Sequence, residues 1–290
     1  MYIGASVNSL ALSAVVKITP AAPSVIPEQS KSLSGGATIG EVKTFSIGMS
    51  FWNWANGFVV EKWWFFAETI AKNHHFSTTN PFAQFQKYIP AEKVLSSPMV
   101  APPLRLFDCS GITDGAAGVV LTSAERAKEF TDTPMYILGS GQCSMGSNLA
   151  NYKSFSTWYP LKEAAKEAYR SARVAPKDLD LAEVHDCFTI SEIMEYEDLG
   201  FCDKGKGGQF IKDGQSDLGG RIPINTRGGL LGTCHPLGAT GIAQAIELMQ
   251  QFRSSVPRQR LVDNAETGLA HNLSGAANVH SILVYGRNPP

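Results

Sequence analysis

From Pro134 onward the chain alternates short apolar runs with amphipathic stretches, and this confines it to a layered α/β domain with helices covering a sheet. Strand-like runs occupy residues 135–139, 181–184, 268–272 and 279–285. The first is expected to end in a glycine-rich turn, Gly139-Ser140-Gly141. Leu161, Ala164, Ala165, Ala168 and Ala172 recur at helical spacing, and Pro176 closes that helix. A second helix is expected from near Ser191, and Ile242, Ala245, Ile246 and Met249 mark a third. Upstream, residues 118–121 and 123–130 read as a strand and a capped helix that close a separate, preceding unit.

Composition narrows the class. Lys and Arg number 25 against 26 Asp and Glu, a net charge of −1, so no broad basic surface for nucleic acid or anionic membrane is present. Five cysteines stand at 109, 143, 187, 202 and 234 without a C-x-x-C pair, which reads as reduced thiols in a cytoplasmic protein. His74 and His75 are adjacent and cannot share a helix face, so no metal is expected. The first residues lack a basic region before a weak apolar stretch, which argues against a signal peptide, and no apolar run is long enough to span a bilayer. Residues 1–45 are poor in charge and read largely as loop, with a short helix or strand starting at Leu10. Trp52, Trp54, Trp63 and Trp64 read as a helix laying an aromatic face on a core or a subunit interface.

Reactive side chains gather in three places, each after a strand or at a helix mouth, where open α/β sheets place ligands. They are His185-Asp186-Cys187-Phe188, Cys234-His235-Pro236-Leu237-Gly238-Ala239-Thr240-Gly241, and His271-Asn272. Proline and glycines force a tight turn beside His235. A helix N-terminus there favours neutral imidazole and stabilises a nearby oxyanion.

These motifs occur in one order, with Asn225-Thr226-Arg227-Gly228-Gly229-Leu230 ahead of His235. Upstream stand Lys72-Asn73-His74, Asn80-Pro81-Phe82-Ala83-Gln84-Phe85, Ser97-Pro98-Met99-Val100 and Asp114-Gly115-Ala116-Ala117. Across residues 68–287 the pattern resembles the thiolase superfamily, in its sterol-carrier-protein and archaeal acetoacetyl-CoA thiolase branches. The resemblance implies a thiolase-like layered fold with a complete carboxy-terminal half at 134–290. It makes 46–133 what is left of an incomplete amino-terminal half, preceded by the low-charge segment 1–45. It implies an acyl-CoA acyltransferase of the acetyl-CoA acetyltransferase type in lipid metabolism, with coenzyme A or acyl-CoA as substrate and no permanently bound cofactor. It assigns His235 to activation of the nucleophile and to an oxyanion hole shared with His185, and Cys187 to acid–base work. His271, Asn272 and Asn225 would position substrate, and Gly238 and Ala239 would contact the coenzyme. A homo-oligomer is implied. So are two partners, a small zinc-ribbon/OB-fold CoA-binding protein and hydroxymethylglutaryl-CoA synthase.

One family element is not found. No cysteine precedes Cys109, whereas thiolases form an acyl-enzyme on a cysteine at a helix start in their first domain. The best local match to that helix, residues 4–12, places Ala5 at the cysteine position. Two alternatives therefore stand beside the acyltransferase: a thiolase-like lyase working by retro-aldol chemistry, and a non-catalytic subunit binding coenzyme A or a partner.

Overall fold

The computed structural model describes residues 10–13, 63–148 and 152–289, with only the backbone described in the first segment. Trp52, Trp54, Ala5 and nearly all of residues 1–45 lie outside the described residues. Eight strands are described: β1 (Leu10–Ser13), β2 (Met99–Ala101), β3 (Leu104–Arg105), β4 (Val120–Ser123), β5 (Met135–Ser144), β6 (Leu181–Glu183), β7 (Thr267–Ser274) and β8 (Val279–Gly286). Six form one sheet in the order β4-β1-β5-β8-β7-β6, with β6 and β7 parallel and the other neighbours antiparallel. The helices are α1 (Trp63–Ser77), α2 (Ala91–Leu95), α3 (Ala124–Ala127), α4 (Tyr159–Ala172), α5 (Thr189–Asp198), α6 (Gly207–Lys212), α7 (Gly229–Thr233) and α8 (Thr240–Phe252).

Side-chain alternation along the strands builds two cores, one on each face of the sheet. Ala182, Val184, Leu269, Ile282 and Val284 point to one face and pack with Leu161, Ala164, Ala165 and Ala168 of α4 and Ile190 and Met194 of α5. Leu181, Ala270 and Tyr285 point to the other and meet Ala245, Leu248, Met249 and Phe252 of α8. The expected layered α/β architecture is therefore present.

Several details differ from the sequence reading. Gly139 and Gly141 do not turn the chain, because β5 runs straight through them to Ser144. Its register against β8 slips between Ile137 and Gly139, a bulge that re-aims the strand. Ile137 packs in the α8 core, whereas Gly139 and Gly141 meet α4. A Cβ on Gly141 would lie 1.9 Å from the Ala164 carbonyl oxygen, and one on Gly139 would lie 2.5 Å from the Ala172 backbone nitrogen. The glycines serve close helix–strand approach, not a turn. Ser171 of α4 secures it, accepting from the Ser140 amide at 2.9 Å and donating to the Ser140 carbonyl at 3.1 Å.

The strand expected to close a preceding unit, β4, instead joins the main sheet through β1. The helix expected after it shortens to four residues. Residues 10–12 are extended in β1, so the helical match over 4–12 does not hold at that end. Of the tryptophan-rich segment, Trp63 and Trp64 begin α1, whose Phe65 and Phe66 pack on the α4 core. Trp64 stays exposed, with its Nε1 donating to Glu68 at 2.6 Å.

Candidate functional site

Asp186 anchors the His185-Asp186-Cys187 segment. Its carboxylate accepts from the Leu230 and Leu231 amides at the start of α7 (2.7 and 3.2 Å) and from Asn73 Nδ2 (2.8 Å). The same Asn73 nitrogen donates to Glu192 at 2.6 Å, and Lys72 pairs with Glu192 at 2.8 Å and donates to the Ile224 carbonyl at 2.7 Å. Gly229 makes this approach geometrically feasible, since it has φ 58° and a Cβ there would sit 2.0 Å from Asp186 Oδ2. Lys72-Asn73 and Gly228-Gly229 thus hold one loop, which presents His185 on one side of Asp186 and Cys187 on the other.

His185 and His235 meet edge to face, ring centroids 4.7 Å apart at 89°. His235 Nδ1 lies 2.7 Å from Thr240 Oγ1, and that hydroxyl donates to the Pro236 carbonyl at 3.2 Å. With its one proton so committed, Thr240 accepts from His235, which is therefore the Nδ1–H tautomer with a free Nε2 lone pair. Burial, then the charge of Arg227, holds the His235 pKa below the usual histidine range. His185 is buried and pushed down to about 3, first by desolvation and then by His235 and His280, with Asn272 hydrogen-bonded to its ring. Two neutral imidazoles therefore stand side by side, each able to donate or accept a hydrogen bond without carrying charge.

The site opens into two adjoining cavities. One, of about 650 Å³, lies between residues 110–117 and residues 235–239. The other, of about 410 Å³, is walled by Leu237, Gly238, Gln244, Asn272, Leu283 and Tyr285. Gly238 borders both and Ala239 the first. Loop 110–117 is held tightly: a Cβ on Gly111 would lie 2.7 Å from Cys234 Sγ, and one on Gly115 2.9 Å from Pro236.

Cys187 is partly exposed, with Sγ 3.9 Å from Ser191 Oγ. Burial is the largest cause that pushes its thiol up to about 12. Each of the other cysteines, 109, 143, 202 and 234, is also raised, with desolvation the largest cause. None of the five is set up as a ready thiolate.

The structure separates the remaining expected residues. Asn272 reaches the cavity, its Nδ2 donating to Gln244 at 3.1 Å. His271, its neighbour in β7, faces the opposite side of the sheet and is fully buried, Nε2 3.0 Å from His280 Nδ1. Asn225 is also fully buried and lines neither cavity. It accepts from the Val184 amide at 2.8 Å, bracing the strand ahead of His185. Three supporting residues had no role in the sequence reading: Thr240, quoted only as part of its motif, and Gln244 and Glu195, which escaped it. Gln244 Nε2 donates to the carbonyls of Val184 (3.1 Å) and His271 (2.9 Å), tying β6 to β7 beneath the site. A trace existed in α8, where Gln244, Glu247 and Gln251 form a polar stripe on a buried face. No group of His, Cys, Asp and Glu suited to a metal ion occurs among the described residues. No helix among them is long and apolar enough to cross a membrane.

The thiolase C-terminal domain-like family matches residues 141–287, about half of the chain, and spans His185, Cys187, His235 and Asn272. The chain belongs to the thiolase family. The protein is 45% identical over 215 residues to an acetyl-CoA acetyltransferase of Methanothermobacter thermautotrophicus, covering 74% of this chain and 56% of that one. It is 38% identical over 227 residues to rabbit (Oryctolagus cuniculus) sterol carrier protein 2, covering 76% and 41%. The chain thus spans about half the length of the curated relatives it matches. Among solved structures, the Ltp2-ChsH2(DUF35) aldolase aligns with a TM-score of 0.74 at 24% identity, over 87% of this chain and 69% of that one. A monomeric SCP2-thiolase-like protein from Mycobacterium smegmatis aligns at 0.65 and 17%, over 90% and 55%. These two likenesses are of fold.

Proposed function

We propose that this thiolase-family chain supplies the acid–base and oxyanion-binding half of an acyl-CoA acyltransferase of the acetyl-CoA C-acetyltransferase type. The observation that carries it is the pair of neutral histidines, His185 and His235, packed edge to face, with His235 lining a cavity of about 650 Å³. In the condensing direction the free Nε2 of His235 takes the Cys187 thiol proton as that sulfur takes a proton from the α-carbon of one acyl-CoA, and the protonated His235 returns its proton to the departing thiolate. The resulting enolate oxygen is held by the imidazole N–H of His185. The enolate carbon then bonds to the acyl carbon of a second thioester, whose thiol leaves. Thiolysis is the reverse. Each well-aimed oxyanion donor contributes about 3–4 kcal/mol to such a step. In this reading the acyl-carrying thiol comes from outside this sequence, since all five cysteines here have raised pKa values. A small zinc-ribbon/OB-fold CoA-binding partner belongs to this reading, and what supports it is that the aldolase of like fold is named as an assembly with a DUF35 protein.

The cysteine finding also favours a second reading, a lyase. Retro-aldol cleavage of a β-hydroxyacyl-CoA needs a base and an oxyanion hole but no acyl-enzyme, and the fold neighbour is an aldolase.

Acetyl-CoA incubated with the protein in deuterated water separates these readings. We expect deuterium at the α-carbon, lost in His235→Ala, with thiolysis of acetoacetyl-CoA appearing once the thiol-bearing component is added. Cleavage of β-hydroxyacyl-CoA without free CoA establishes the lyase instead. Coenzyme A binding with neither exchange nor cleavage overturns both and leaves a binding subunit.

A further inference from the structure

Behind His185 and Cys187 lies a row of buried polar groups that the reaction above does not use. His280 Nε2 lies 3.0 Å from the Ala277 carbonyl oxygen, an atom that can only accept, so this nitrogen carries the proton. In a neutral ring His280 Nδ1 is then bare. His271 Nε2 lies 3.0 Å from that bare nitrogen, with the two rings stacked 5.2 Å apart, so it must be the donor there. This leaves His271 Nδ1 without a proton. It faces Glu195 Oε1 at 3.3 Å, and both His271 Nδ1 and the two Glu195 oxygens are buried without a hydrogen-bond partner among the described side chains. An acceptor against a carboxylate would be two lone pairs facing each other, so the missing proton belongs to the carboxyl.

We propose that Glu195 is a neutral carboxylic acid that donates to His271 Nδ1, fixes the tautomers of His271 and His280, and serves as a positioning residue that keeps negative charge away from Cys187.

Its surroundings support that state. Glu195, His271 and His280 are all fully buried. Asp186, Glu192 and Asp198 press further negative charge on Glu195, and burial is the largest of the influences that raise its pKa well above the carboxylate range. His271 is pushed well below the histidine range by burial, then by His280 and His185, and His280 is lowered to about 4 by burial. No Lys or Arg pairs with Glu195 among the described residues. The consequence for the site is electrostatic. Cys187 feels Glu195 directly, and an anion there would hold the thiol proton more tightly. A neutral acid leaves Cys187 freer to exchange it.

The inference rests on Cys187 as the proton carrier, but its test uses no acyl-CoA, so it stands or falls apart from the proposed reaction. In the wild-type protein, ¹⁵N-histidine NMR near neutral pH should show His271 and His280 both neutral and both protonated at Nε2. The infrared difference between wild type and Glu195→Gln should show a protonated-carboxyl C=O stretch. Glu195→Gln keeps a donor toward His271 and adds no charge, so it should preserve both tautomers. It should also leave the pH profile of Cys187 alkylation, read by peptide mass spectrometry, within twofold of wild type. Glu195→Leu should scramble the histidine signals. A doubly protonated His271, a carboxylate band, or about tenfold faster alkylation of Cys187 in Glu195→Gln would each show that Glu195 is an anion and overturn the proposal.

Discussion

Replacing Gly141 by alanine should be among the most damaging single-methyl changes in this protein. The new Cβ would sit 1.9 Å from the Ala164 carbonyl oxygen and 2.7 Å from the Ala168 backbone nitrogen. Ordinary contact begins near 3.4 Å, so α4 must retreat from β5 by about 1.5 Å. Both obstructing groups are helix backbone, and no side-chain rotation relieves them. That retreat opens gaps around Leu161, Ala164 and Ala168, which are fully buried. Inserting a methyl into a packed core ordinarily costs about 1–3 kcal/mol, and a backbone clash of this depth belongs at or above the upper end. With about 2–4 °C lost per kcal/mol in a domain of this size, the midpoint should fall by roughly 6–12 °C. Urea and thermal unfolding followed by circular dichroism measure this directly. Gly118→Ala is the control, because a Cβ there meets nothing within 4 Å and should change stability by less than about 0.5 kcal/mol. If Gly141→Ala lost less than about 1 kcal/mol, the close approach of α4 to β5 would be refuted and the segment would behave as the turn its glycines suggest.

The other predictions concern the site. Thr240→Val should free the His235 tautomer and slow α-proton exchange about tenfold, the worth of one hydrogen bond, while Thr240→Ser retains most of the rate. At pH 8 Cys187 should alkylate far more slowly than free cysteine, because its thiol is pushed up to about 12; modification at the rate of an exposed thiol contradicts that assignment. The His185 ring signals should not titrate between pH 8 and pH 5, since its folded pKa is lowered to about 3. The unfolded chain takes up that proton near pH 6.5, so this histidine contributes stability at neutral pH that is lost as pH falls from about 6.5 toward 3. Gln244→Ala should cost about 2–3 kcal/mol in urea unfolding, because it leaves the Val184 and His271 carbonyls and the Asn272 amide without their partner.

The sequence by itself determined the layered architecture and the motif set, because both are local properties of the chain. The periodicity of residues 161–172 and 242–249 places α4 and α8, and apolar runs place β6, β7 and β8 within a few residues. His235 was legible at its helix mouth, and His185 with Cys187 after their strand, since tight turns and helix starts are written in neighbouring residues. Only the tertiary structure decided what each side chain faces. His271 and Asn272 look like a pair in the sequence, yet neighbours in a strand point to opposite faces. Asn272 therefore reaches the cavity while His271 is buried against Glu195 and His280. Gly139 and Gly141 read as a turn because local chemistry cannot register a helix lying 31 residues away in the chain, where Ser171 holds Ser140. The bulge in β5 that turns those glycines toward α4 exists only in the pairing with β8. The burial that leaves His185, His271 and His280 uncharged, and every cysteine a thiol, is likewise a property of the packed layers and not of any one segment.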